Sequence, residues 1–253
     1  MGKIPACLIL IGCLALPVRA GMNIHGYVKS FALVFFIPDA LALEQTNPPL
    51  GMVSNRLRLK MTTAIKSNIH LEAAWDLSPR FSGSETLEGF FGVTGITGDD
   101  YRISDSSSRL VPAPGDPESG FSLHHNLDRL FATFRLKGAD LYVGRQAISW
   151  GSARTINPTD VIAPFAFNEL DTEDRHGVDA VRLRVPLGMM DELDIGWVAG
   201  RNFDLDRSAF FLRTRISLLK TDTSLLFMAF RGHLMVGVDL ARSIGGAGAW
   251  CEA

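Results

Sequence analysis

The chain has 253 residues, 47% apolar and 21% charged, with a formal net charge of −2. That apolar share excludes a disordered chain. The near-neutral balance leaves no global field for nucleic acid or an anionic membrane surface.

Residues 1–20 read as a secretory signal peptide. Lys3 supplies the charged start, Ile4 to Leu16 the apolar stretch, and Val18-Arg19-Ala20 a cleavage site. The apolar run is shorter than the roughly 20 residues that span a bilayer. Two alternatives compete with this reading. Leu10-Ile11-Gly12-Cys13 has the form of a lipoprotein box, though it lies early. Translation from Met22 would turn the run Phe31 to Ile37 into a second signal. Cys251 alone remains after cleavage near Gly21, so no internal disulfide can form and that cysteine cannot make a zinc site by itself.

The rest, 21–253, carries segments of about ten residues that alternate apolar and polar with period 2, the pattern of half-exposed strands. The clearest is 55–65, where Leu57, Leu59, Met61, Thr63 and Ile65 oppose Arg56, Arg58, Lys60 and Thr62. Segments 69–77, 128–136, 178–185, 192–199 and 210–218 repeat it. Segments 23–34 and 234–241 fit less cleanly, while 140–150 and 222–230 are apolar on both faces, so their facing is open. Residues 249–253 read as the start of a further strand. The connections alternate: short around 67–68, 137–139, 188–191 and 220–221; longer over 36–52, 78–126, 151–176 and 201–208. Tight turns at one end and long loops at the other is the rhythm of outer-membrane barrels. Trp75, Trp150, Trp197 and Phe210 fall at the long-loop end, where an interfacial girdle would sit.

These features predict an all-β fold: an antiparallel transmembrane β-barrel of the outer-membrane type, incomplete, with about ten strands of a larger even-stranded cylinder. The location predicted is the outer membrane of a Gram-negative bacterium. Partners would be outer-membrane lipid and lipopolysaccharide, with the barrel-assembly machinery during insertion, and no nucleic acid.

Gly144-Arg145-Gln146-Ala147-Ile148-Ser149-Trp150-Gly151 is followed by Asn157-Pro158-Thr159-Asp160, then by Asp171-Thr172-Glu173-Asp174-Arg175-His176-Gly177-Val178-Asp179-Ala180. These motifs resemble those of a loosely characterised family of proteobacterial outer-membrane porin-like barrels, related at a distance to alginate-export porins. Gly26 to Phe31 and Asn55 to Leu59 also fit. The resemblance spans most of the mature chain and implies fold and location. It leaves the substrate open, because the family has no firmly assigned one.

Alternation sets the candidate lining. Arg56, Arg58, Lys60, Arg129, Arg135, Arg182, Arg184, Arg213 and Arg215 share the polar faces, against fewer acids. Facing lipid, each would cost roughly 2–4 kcal/mol at the midplane, so they predict a basic, anion-preferring lumen. The competing reading pairs them with lumenal acids. Pro158 and Pro164 stiffen loop 151–176, which predicts an inward constriction lined by Asn157, Asp160, Asp171, Glu173, Asp174 and Arg175. Alternatively, Arg175 merely pairs with those carboxylates to pin the loop. No catalytic residue, metal site or cofactor is expected. Ser149 lacks a nucleophile elbow, and Ser122, His124 and His125 read as loop polarity. A porin-like passive channel for small polar solutes ranks first, a non-conducting structural or assembly barrel second, an outer-membrane hydrolase last.

Overall fold

The computed structural model describes residues 21–35, 50–83, 101–104, 107–113, 116, 120–152, 157–165 and 171–253. The signal-peptide reading and residues 36–49 and 84–100 lie outside these. The described residues form one antiparallel sheet of twelve strands, with two single-turn 3₁₀ helices as the only helices bounded within it. The strands are β1 (Asn23–Phe35), β2 (Leu50–Lys66), β3 (Ile69–Ser82), β4 (Ser107–Val111), β5 (Phe121–Leu136), β6 (Ala139–Ala147), β7 (Gly177–Pro186), β8 (Glu192–Val198), β9 (Ala209–Leu218), β10 (Thr221–Phe230), β11 (His233–Ile244) and β12 (Ala247–Glu252). The path runs β1-β2-β3-β5-β6-β7-β8-β9-β10-β11-β12, with β4 alone off it, paired to β5. β1 and β12 are its two edges and do not pair with each other.

The strand count exceeds the predicted ten for two reasons. Short, polar β4 falls inside what reads as a loop, and the strand start at 249–253 is a paired strand. β2, β3 and β5 also run further toward the long-loop end than their alternation shows.

Register gives the sheet two unlike faces. One band crosses it as cross-strand partners Ile69, Phe134, Leu141, Leu183, Ile195, Leu212, Phe227 and Val236. Val236 is 70% exposed and Leu212 42%, so this apolar face is open to its surroundings. One residue along, the opposite face carries Arg135, Asp140, Arg184, Asp194 and Arg213 as successive partners.

The alternation slips once where it matters. Between Ala74 and Trp75 the β3–β5 register shifts, Ala74 meeting Arg129 and Trp75 meeting Leu127. Asp128 is the extra residue of a β-bulge, and it shares the polar face with Arg129. Gly144, at φ 120°, makes a second irregularity: a Cβ there would lie 2.3 Å from the carbonyl oxygen of Leu130.

At the long-loop end the inner face changes character. Val178, Val198, Phe211, Leu226 and Met228 point inward and are buried beneath Tyr101, Ile148, Trp150 and Ile162. This fixes the facing of β10, which the sequence leaves open: Ser224, Leu226 and Met228 inward, Leu225 and Phe227 outward. Trp150 corrects the girdle expectation. It is buried, its ring centroid 4.6 Å from that of Phe211, and its indole N–H donates to Asp194. Trp197 and Phe210 do face outward as neighbours at that end, ring centroids 6.3 Å apart.

Candidate functional site: the inner wall and its crossing loop

The described parts of loop 151–176 lie on the polar face and reach both edges of the sheet. Toward β1 and β2, Lys29 donates to Asp171 at 2.8 Å and Arg56 donates to it at 3.0 Å. Lys29 also pairs with Glu173, the Tyr27 hydroxyl donates to Asp174, and Arg58 lies 3.7 Å from Asp174. Toward β11 and β12, the N–H and hydroxyl of Thr159 both donate to Glu252, at 2.9 and 2.6 Å, and the Ser152 hydroxyl donates to Asp239. Between these anchors the loop sits on the apolar patch around Phe211.

The Arg175 side chain does not pin the loop to the wall. It straps the loop to itself: a nitrogen 2.7 Å from Asp160, a donated bond to the Ala163 carbonyl, and its guanidinium 3.6 Å over the Phe165 ring. On the β1–β2 side the side-chain contacts with the wall belong instead to Asp171, Glu173 and Asp174, and the Arg175 carbonyl accepts from Arg129. Asn157 opens the turn that Asp160 closes, through a 3.0 Å backbone bond.

Asp160 is 2% exposed, and neither carboxylate oxygen accepts a directed hydrogen bond despite the nearby guanidinium. Burial therefore prevails, helped by the charge of Glu252 and opposed by Arg175, and pushes the Asp160 carboxyl up to about 7. Asp171 goes the other way. Burial acts to raise it, but the bonds from Lys29 and the Glu173 N–H, with the charge of Arg56, hold it below the usual carboxylate range.

Most of the predicted lining cations are paired. Arg56 bonds Asp76 at 2.8 Å and Arg58 bonds Asp76 and Asp128, the latter at 2.6 Å. Lys60 meets Glu72, and Arg129 meets Asp128. Arg182 grips Asp194 through two nitrogens and Arg184 takes Glu192, each reaching diagonally across β7 and β8. Arg213 donates to Ser224. Arg135 and Arg215 are the exposed members, both near the short turns. Pairing by neighbours of opposite sign cancels most of the field that nine cations suggest.

Two arrangements escape the sequence reading. Asp128 is completely buried and joins Arg58, Arg129 and the N–H of Gly177. Its signal is present in hindsight: two polar residues in succession, Asp128 and Arg129, between Leu127 and Leu130. Arg145, in the GRQ motif, makes a two-pronged bond to its register partner Asp179 at 2.8 and 2.9 Å, and the pair clasps the backbone of Ile103 and Ser104.

His124 bonds Ser122 at 3.2 Å and His125 bonds Ser108 at 2.7 Å. As consecutive residues of β5 the two imidazoles point to opposite faces, so these pairs do not converge on one centre.

No protein-family model matches the chain, and no curated protein matches it. Among solved structures, the low-pH structure of Pseudomonas putida OprB is similar at 10% identity and a TM-score of 0.45, covering 88% of this chain. A triple mutant of the Rh. blastica porin is similar at 12% identity and a TM-score of 0.44, covering 89% of this chain and 71% of that one. The chain spans 60% of the OprB chain's length.

Proposed function

We propose that the chain is a porin-like passive channel for small polar solutes in the outer membrane of a Gram-negative bacterium. The observation that carries this reading is the two-faced sheet. Its apolar band is continuous across nearly every strand, which suits hydrocarbon, and the opposite face is a polar wall crossed by a loop. Of the candidate lining residues, exposed Arg135 and Arg215 carry the anion preference, because Arg56, Arg58, Lys60, Arg129, Arg182 and Arg184 are offset by acids. The test is the reversal potential across a salt gradient in a planar bilayer. Arg135→Glu and Arg215→Glu should move it toward cations. Absence of any conductance would eliminate the channel reading, and an unchanged reversal potential would eliminate the selectivity assignment.

One observation favours a second reading, a non-conducting structural barrel. The loop is anchored at both edges and seated on a dry patch between them. Under this reading the wild type inserts yet passes no current, and Trp150→Ala, which loosens the seat, opens conductance.

A further inference from the structure

We infer that Asp128 is the positioning residue that sets where the crossing loop ends its path over the inner wall. The inference rests on the channel reading for its consequence and on local geometry for its substance.

Asp128 sits at the bulge of β5, which turns its side chain to the same face as that of Arg129. Its carboxylate then gathers three donors. One oxygen accepts from Arg58 at 2.6 Å and from Arg129; the other accepts the Gly177 N–H at 2.9 Å. Each donor touches a successive point of the loop's exit. Arg58 faces Asp174, Arg129 donates onward to the Arg175 carbonyl, and Gly177 is the first residue of β7. The fit at Gly177 is close: a Cβ there would lie 1.8 Å from the Asp128 carbonyl oxygen. One buried carboxylate thus orients two guanidinium groups and one peptide group along residues 174–177. A third cation, Arg102, lies 3.7 Å from the oxygen that accepts the Gly177 N–H.

Without its charge, Arg58 and Arg129 would face each other across a neutral amide in a dry site, and like charges there repel strongly. Arg58 keeps Asp76 as a partner, whereas Arg129 would lose the acid it pairs with. The first contact to fail would be the one from Arg129 to the Arg175 carbonyl.

The experiment is timed trypsin cleavage of the chain folded in lipid vesicles, comparing the bond after Arg175 with the bond after Arg207, whose side chain is 60% exposed. In Asp128→Asn, cleavage after Arg175 should quicken at least tenfold while cleavage after Arg207 stays at the wild-type rate. A general loss of stability would instead raise both together and overturn the inference, as would an Arg175 rate within twofold of wild type. Arg129→Lys provides a second arm should Asp128→Asn fail to insert. It keeps the charge beside Asp128 but removes the forked donor to Arg175, so cleavage there should still rise severalfold; an unchanged rate refutes the positioning role. Single-channel recording of the same proteins separates the two layers. A silent wild type sinks the channel reading, and the cleavage ratio still decides the role of Asp128.

Discussion

Loop docking should depend on pH with a sign set by Asp160. Its carboxyl rises from an ordinary 3.8 to about 7 when the loop is seated, because the seat is dry and Glu252 faces it. At about 1.36 kcal/mol per pKa unit, holding Asp160 ionised in the docked state costs roughly 4 kcal/mol. The docked form binds more protons than the released form between these values. Docking is therefore tightest near the ordinary carboxylate pKa, weakens as pH rises through about 7, and then levels off. Asp171 works in the opposite direction. Held below the usual range by Lys29 and Arg56, it contributes docking that is lost as pH falls through its lowered pKa. The two define an optimum in mildly acidic solution. The assay is a spin-label distance between Thr172→Cys and Ala32→Cys in a Cys251→Ser background, all three positions being exposed. The docked distance should predominate at pH 5 and lose population by pH 7.5. Asp160→Asn should hold the docked distance at both. A docked population that grows between pH 5 and 7.5, or the same pH dependence in Asp160→Asn, would refute the reasoning.

Other substitutions probe the rest of the fold. Leu212→Arg places a cation in the apolar band and should cost roughly 2–4 kcal/mol if that band faces hydrocarbon; a urea titration of folding into vesicles measures it, and a cost near zero would mean the band is not in lipid. Gly144→Ala meets the Leu130 carbonyl and a forbidden backbone angle, for a loss on the order of 2–5 kcal/mol in the same titration. Trp150→Ala empties the pocket over Phe211 and should cost about 3–5 kcal/mol of loop docking, read as loss of the docked spin-label distance at pH 5.

Some of this is legible in the residues and some is not, for physical reasons. β2 declares its facing because one side belongs to the exposed apolar band and the other to the charged wall, so Leu57 to Ile65 alternate cleanly with Arg56 to Thr62. β10 hides its facing because Leu226 and Met228 lie under the loop while Leu225 and Phe227 join the outward apolar band; with both sides apolar, the alternation disappears. β4 is too short and polar to announce a strand. The cations of the wall are readable one by one, but their partners are not. Arg56 finds Asp171 more than a hundred positions away, and only the folded loop brings that acid to it. Trp150 is misread for a related reason: an indole at a strand's end suits an interface equally well whether it turns toward lipid or beneath a loop.

The crossing loop also has a mechanical consequence. A sheet whose end strands β1 and β12 do not pair with each other has one soft motion, a breathing in which the edges move apart and the curvature relaxes. Here a strut leaves the middle of the sheet after β6 and grips β1 and β2 on one side and β11 and β12 on the other. Any widening must first pull Lys29 and Arg56 from Asp171, or Thr159 from Glu252. The softest motion of the sheet is thereby tied to breaking charged and hydrogen-bonded contacts on its inner wall. Among the described residues, the spacing of the two edges then depends on ion pairs as well as on strands.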